Sequence, residues 1–320
     1  MFKIGILEGR VLEEKRFPFD QFWKGAFGTG IGVVKKPFFW IFLISVAWAG
    51  SAGASDGHSA DFQQYLMTLK ARFERLGWND LRPEKIPWEY HRTSHLGRPL
   101  FFATFGEKQK NTTIFLGGVH GNESSSVYVA LRLAQYLHEN QEIYAKSFIV
   151  VAPLVNPDGF LAQPQRRTNA RGVDLNRNFP TRDWKRGNKG PYYSGPTASS
   201  ENETKFQIAL FQRFRPEKIV SIHAPLGRYD YDGPSSDLDE FIEWLERSSR
   251  ENNFPLRRYR VFPGSLGNYA GMERKIPTLT LELPSSHPQS GQVYFEQFRK
   301  TLIEILHFNP AKSLSEARAR

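Results

Sequence analysis

The tetrapeptide His120-Gly-Asn-Glu123 lies on a turn between an apolar strand and a helix, and far along the chain Ser221-Ile-His223 closes another apolar strand. Two imidazoles and one carboxylate are the ligand set of a catalytic zinc site whose fourth position stays open for water. His120 and Glu123, three residues apart where a turn enters a helix, can face one ion, and Gly117 and Gly118 permit the sharp bend before them. A His-x-x-Glu pair alone is a weak pattern. His223 strengthens it, because an imidazole at the end of a buried strand otherwise needs a buried partner. Glu282, in Thr278-Leu-Thr-Leu-Glu-Leu-Pro284, ends a third apolar strand and is placed to serve as a general base. A further run, Gly172-Val-Asp-Leu-Asn-Arg-Asn-Phe-Pro180, holds Asp174, Asn176, Arg177 and Asn178, too many polar groups for a core segment. Arg177 reads either as a clamp that grips a carboxylate through two parallel hydrogen bonds or as half of a surface salt bridge.

The elements that must position these residues follow from periodicity. Phe62, Tyr65, Leu66, Leu69 and Phe73 have the spacing of an amphipathic helix over 61–76. The stretch 88–105 alternates around Leu96-Gly-Arg-Pro-Leu100 and predicts a hairpin. Strands are expected at 112–116, 148–151, 218–223 and 278–283, and helices at 124–137, 201–214, 237–252 and 293–306. Asn156-Pro-Asp-Gly159 reads as a turn, and 261–271 as a glycine-punctuated loop. Residues 163–195 are rich in Gly, Asn, Arg and Pro with little periodicity, which marks functional surface in a compact domain. Alternating strands and helices predict an α/β fold: a single domain with a mostly parallel mixed sheet flanked by helices on both faces. The polar candidates fall just past strand ends, where such sheets place their sites.

Composition narrows the chemistry. The chain has 320 residues and no cysteine, so any metal must be held by His, Asp or Glu. The net charge is +10; residues 1–54 hold seven of the 43 Lys/Arg and four of the 33 Asp/Glu, leaving +7 on the rest. A basic enzyme suits an anionic substrate through long-range steering, although mild basicity also serves solubility alone. No basic run is interleaved with aromatics densely enough to argue for nucleic acid. Residues 35–54 carry two lysines, an apolar run from Phe38 to Trp48 and the small-residue stretch Ala52-Gly-Ala54, the pattern of a secretory signal. Residues 1–54 are therefore expected to be a leader and 55–320 the catalytic domain, exported to the periplasm without a stable membrane span after cleavage. A cytoplasmic address is expected instead if the leader is not a working signal.

The ordered motifs Gly-Gly-Val-His120-Gly-Asn-Glu123, Asn156-Pro-Asp-Gly159, Arg167-x-Asn169, Gly172-Val-Asp-Leu-Asn-Arg-Asn178, Ser221-Ile-His223 and Thr280-Leu-Glu282 resemble the zinc carboxypeptidases, the carboxypeptidase A-like metallopeptidases. Within that family, Asn176-Arg-Asn-Phe-Pro-Thr-Arg-Asp-Trp184, His223-Ala-Pro-Leu226 and Pro263-Gly-Ser-Leu-Gly267 are most similar to the bacterial murein tripeptide amidases. The resemblance covers about Tyr90 to Leu306. It implies one zinc ion per chain held by His120, Glu123 and His223, with Glu282 as the catalytic glutamate. It further implies that Asn176 and Arg177 hold the substrate's free carboxylate, that Arg167 or its neighbour Arg166 polarises the scissile carbonyl, and that Asp174 orients the first zinc histidine. Tyr259 is the candidate for the family's closing tyrosine, or a packed or surface tyrosine.

The substrate class implied is murein stem peptides or peptidoglycan, cut at the γ-D-Glu–meso-diaminopimelate bond by a monomer. The run Arg228-Tyr-Asp-Tyr-Asp-Gly233, read as a loop, offers both signs of charge for the zwitterionic end of diaminopimelate through Arg228, Asp230 and Asp232; as solvated loop residues these would look the same. The alternatives are a murein or protein carboxypeptidase and, in another class, an inactive wall-peptide binding module. His287, soon after Glu282, is a further candidate to line the cleft.

Overall fold

Strand alternation dictates the architecture. In the computed structural model, which describes residues 55–108, 111–234, 239–257 and 261–308, one sheet of eight strands runs in the order β1 (Glu89–Thr93), β2 (Pro99–Phe105), β4 (Ser147–Ala152), β3 (Asn111–Leu116), β5 (Lys218–His223), β8 (Thr278–Glu282), β6 (Arg228–Asp232) and β7 (Leu256–Arg257). The expected leader at 1–54 and Tyr259 lie outside the described residues. Strands β4, β3, β5 and β8 are mutually parallel, whereas β2 joins β4 and β6 joins β8 in antiparallel fashion. The mostly parallel mixed sheet is as expected.

Helices cover both faces. On one, Phe115, Val220, Ile222, Leu279 and Leu281 of the sheet meet α1 (Ser55–Arg75), α2 (Ser124–Glu139), α5 (Asp239–Glu251) and α6 (Gly291–Glu304). On the other, Ile114, Leu116 and Ile219 pack against Phe206 and Leu210 of α4 (Asn202–Phe214) and against the π-helical turn Gly267–Met272. No helix among the described residues is long and apolar enough to cross a membrane.

The structure corrects three local readings. The segment read as a loop at 228–233 is strand β6. Its alternation is Arg-Tyr-Asp-Tyr-Asp, so the buried face is made of Tyr229 and Tyr231 rather than aliphatic residues, and the charges on the other face hid the period of two. Asn156-Pro-Asp-Gly159 opens the short helix α3 (Pro157–Leu161), and the Asn156 Oδ1 caps it by accepting from the Gly159 N–H at 2.9 Å. Residues 267–272, read as part of a loop, wind into the π-helical turn, in which five of the six are buried.

Register then lines up side chains. His223 pairs with Glu282 across β5 and β8, and Glu282 with Arg228 across β8 and β6; one step back, Ser221 pairs with Thr280 and Thr280 with Asp230. Because side chains alternate between faces, both rows of three point to the same side of the sheet as Ile219. Here the second face is left open as a cleft, with α4 packed further along the sheet.

The turn after β3 is pressed against α3. A Cβ on Gly121 would lie 2.2 Å from the Gly159 carbonyl carbon and 2.3 Å from the Phe160 nitrogen, both backbone atoms unable to give way. Gly121→Ala should therefore destabilise the protein by about 3 kcal/mol through forced overpacking, measured by urea denaturation. An unchanged midpoint would show that the turn is not seated as described.

Candidate active site

Three donors meet beside the sheet. Gly118, at a φ of 59°, turns the chain out of β3 and brings His120 round, while Glu123 immediately precedes α2 and His223 ends β5. The Nδ1 atoms of His120 and His223 are 3.2 Å apart. His120 Nδ1 lies 2.7 Å from Glu123 Oε1, and His223 Nδ1 lies 3.0 Å from Glu123 Oε2, with all three residues buried. Two donors about 2.05 Å from a tetrahedral zinc stand roughly 3.3 Å apart, so the spacing fits that ion. The opposite edge of the His120 ring supports the same reading: Nε2 is 3.1 Å from Asp174 Oδ1, which assigns the ring proton to Nε2 and leaves the Nδ1 lone pair facing the cluster. A lone pair there meets a carboxylate oxygen and a second imidazole nitrogen, an arrangement that needs a cation or a proton between them.

The electrostatics point the same way. Burial would lower the His120 pKa, but the Glu123 and Asp174 carboxylates outweigh it and push the group up to about 9. Burial would raise Glu123, yet the two imidazoles hold it down to about 2. Asp174, fully buried, is likewise held well below the usual carboxylate range: burial opposes ionisation, and His120 followed by Arg167 and Arg177 overcomes it. Arg167 donates from Nε and Nη2 to Asp174 Oδ2 at 3.1 and 3.0 Å and places Nη1 3.6 Å from Glu123 Oε1. Arg166 is exposed, so the arginine at the cluster is Arg167.

Asp174 also organises the next stretch. Its Oδ1 accepts from the Asn176 N–H at 2.9 Å, and the Asn176 Oδ1 accepts from the Leu266 N–H at 2.8 Å, tying this turn to the loop before the π-helical turn. The Arg177 carbonyl accepts from the Trp184 indole at 3.1 Å, and its guanidinium lies 4.3 Å from the centre of the Phe262 ring. Burial lowers the Arg177 pKa, partly offset by Asp174.

Glu282 stands beside His223 on the neighbouring strand, with its Oε2 buried and without a hydrogen-bond partner. Burial raises its pKa, the Glu123 charge adds to this, and the imidazoles and Arg228 offset part of it. Asp232 is pushed up to about 7 by burial and by Asp230.

One cleft of about 730 Å³ gathers ten of the predicted residues: His120, Glu123, Arg167, Asn176, Arg177, His223, Arg228, Asp230, Asp232 and Glu282. Asp174 lies behind His120 rather than in the lining. His287 is exposed and caps a short 3₁₀ turn outside the cleft, so the sequence-based suggestion for it fails. Sequence reasoning did not single out Tyr192, Ser221, Leu226 or Phe262, which also line the cleft. Only the irregular character of 163–195, read as functional surface, signalled Tyr192.

Comparison with known proteins gives concordant matches. The sequence profile of the family described as zinc carboxypeptidase matches residues 89–252. Murein peptide amidase A of Escherichia coli (strain K12) is 29% identical over 238 residues, spanning 71% of this chain and 92% of that protein. Murein peptide amidase A of Vibrio campbellii (strain ATCC BAA-1116) is 30% identical over 234 residues, 68% of this chain and 86% of the relative. Among solved structures, murein-tripeptide amidase from Escherichia coli O157 superposes with a TM-score of 0.54 at 29% identity, over 70% of this chain and 94% of that one. Carboxypeptidase A from Helicoverpa armigera, with a TM-score of 0.60 at 16% identity over 79% of this chain and 73% of that one, shares the fold.

Asp174 serves His120, Arg167 and the Asn176 N–H at once. Asp174→Ala should cost about 3 kcal/mol at neutral pH, because it strands two buried or half-buried partners. A carboxylate of depressed pKa contributes its stability above the unfolded value near ~4 and loses it as pH falls further. The gap between wild type and variant, read from urea denaturation, should therefore narrow in acid; a gap that widened would contradict the described pairing.

Proposed function

The chain belongs to the zinc carboxypeptidase family and is a metallopeptidase, and from that premise we propose that it hydrolyses murein stem peptides at the γ-D-Glu–meso-diaminopimelate amide bond. The observation that carries this reading is the charge layout of this cleft. Arg177 offers a cation for a terminal carboxylate, while Arg228 and the acidic pair Asp230 and Asp232 offer both signs for a zwitterionic side-chain end. A carboxypeptidase substrate with an apolar terminus would present no charged group to this part of the cleft.

In this proposal His120, Glu123 and His223 hold one zinc ion. Zinc, when bound there, supplies a Lewis acid that polarises the scissile carbonyl and makes the attacking water more acidic. Glu282 accepts a proton from that water through its buried, unpartnered Oε2, and its raised pKa makes it a stronger base than an ordinary glutamate. The water oxygen forms a bond to the carbonyl carbon, the C–N bond breaks, and Glu282 returns the proton to the departing amine. Arg167 donates toward the oxygen that gains negative charge, a role its anchoring on Asp174 prepares by fixing the guanidinium beforehand. Asn176 and Arg177 hold the substrate's free carboxylate by charge-assisted hydrogen bonds. Tyr259 is retained as a candidate for a closing tyrosine. The signal-like stretch at 35–54 favours export to the periplasm and hence stem peptides of the wall as the substrate pool; amino-terminal sequencing of the mature protein should read from residue 55.

Incubation of the zinc-loaded protein with L-Ala-γ-D-Glu-diaminopimelate should yield L-Ala-γ-D-Glu and free diaminopimelate by mass. Release of only a terminal residue from a tetrapeptide, with the tripeptide intact, would instead support the carboxypeptidase reading. Binding without turnover of either would support the inactive module. Glu282→Gln should lower kcat by about 10²–10⁴-fold while leaving one zinc per chain. The wild-type acid limb of kcat/KM should lie above the ~4.3 of a free glutamate, since activity is lost as pH falls through the raised pKa of the base.

A further inference from the structure

The Arg177 guanidinium lies against two aromatic rings. The Phe262 ring is 4.3 Å from its guanidinium carbon and the Tyr192 ring 5.8 Å, while the same Tyr192 ring is 5.1 Å from the guanidinium carbon of Arg167. Both rings are unusually open for aromatic side chains, Tyr192 at 62% exposure and Phe262 at 51%. Their backbones are nevertheless pinned to the site. The carbonyl of Tyr193, next to Tyr192, accepts from the Asp174 N–H at 2.8 Å. The Phe262 carbonyl accepts from the Ser265 N–H at 3.0 Å, and the carbonyl of Gly264 accepts from the Phe179 N–H at 2.9 Å. A Cβ on Gly264 would fall 2.1 Å from the Arg177 carbonyl oxygen, so this loop is pressed directly onto the arginine's backbone.

Among the described residues no carboxylate lies within ion-pair distance of Arg177. Its Nη1 donates to the carbonyl of Asn176 at 2.6 Å, a bond within its own turn. A guanidinium packed against ring faces keeps its in-plane N–H donors unspent, because the π cloud attracts the charge across the face rather than along the edge. A carboxylate partner would hold Arg177 as firmly and would occupy those same donors.

We propose that Tyr192 and Phe262 are positioning residues that clamp the Arg177 guanidinium and keep its edge available for the substrate's free carboxylate, with Tyr192 also bracing Arg167. This rests on the reading of Arg177 as the carboxylate contact. Tyr192 thereby joins Arg167 and Arg177 through one ring. The ring offsets the repulsion between the guanidinia and shields both from water, so each holds its orientation before substrate arrives. Order of this kind raises affinity for the carboxylate without touching the bond that breaks.

The test uses the zinc-loaded protein and two substrates, L-Ala-γ-D-Glu-diaminopimelate with its free α-carboxylate and the corresponding α-amide, and reads the ratio of kcat/KM for acid over amide. Tyr192→Leu and Phe262→Leu should each lower this ratio roughly tenfold, through KM for the acid far more than through kcat. Tyr192→Phe and Phe262→Tyr, which keep the rings, should restore it. A merely structural role would lower both substrates together and leave the ratio unchanged. As a second readout, fluorescence of Trp184, whose indole donates to the Arg177 carbonyl, should report weaker binding of the product diaminopimelate to the leucine variants of the metal-free protein. Arg177→Met serves as the control. If it lowers the ratio and both leucine variants stay within about twofold of wild type, the clamp is wrong while the carboxylate site stands. If Arg177→Met itself leaves the ratio untouched, Arg177 is not the carboxylate contact and both readings fall.

Discussion

Electron pairs that repel one another organise this protein. Two imidazole nitrogens 3.2 Å apart and a carboxylate within 3.0 Å of both form a buried concentration of negative potential that only a cation or a proton can relieve. Holding it costs folding energy, because buried charges are expensive unless closely paired. Much of the surrounding polar structure serves to offset that cost. Asp174 takes the far edge of His120, Arg167 neutralises Asp174 and approaches Glu123, and the Ala224 N–H donates to Glu123 Oε2 at 3.2 Å. Family membership and the donor chemistry agree on zinc as the ion such a set would hold.

The sheet converts that local demand into an active cleft. Period-two alternation lets one face of β5, β8 and β6 bury Val220, Leu281 and Tyr229 while the other lifts His223, Glu282 and Arg228 into a single row. The placing of Glu282 beside His223 therefore follows from strand register. The same register sets Asp230 beside Thr280 one row back and extends the polar floor along the cleft. Since one apolar face is buried, a slip of one residue would turn the whole set away from the cleft, so core packing enforces the geometry of the chemistry.

The opposite wall is built from irregular chain, and it is held by polar contacts where the floor is held by a ladder. Asp174 ties this wall to the donor cluster: its side chain faces His120 and Arg167, while its backbone N–H holds the segment that carries Tyr192. The turn that carries Asn176 and Arg177 is correspondingly hydrogen-bonded to the donor cluster through Asp174. Long loops of this kind tolerate functional variation because a rigid scaffold fixes their ends.

Much of this was legible in the residues alone. The strands and helices with ordinary apolar periodicity came out close to their observed bounds, and the motif residues His120, Glu123, Arg167, Asn176, Arg177, His223 and Glu282 do meet in one cleft. They were legible because backbone geometry and ligand chemistry depend on residue type and short-range spacing. Strand β6 was hidden because its inward residues are tyrosines flanked by charges, and α3 because Asn-Pro-Asp-Gly suits a turn as well as a capped helix start. Which of two adjacent arginines reaches the cluster, and which exposed rings flank Arg177, could be decided only in three dimensions. Those contacts join segments far apart in the chain, and no local pattern encodes the packing that brings them together.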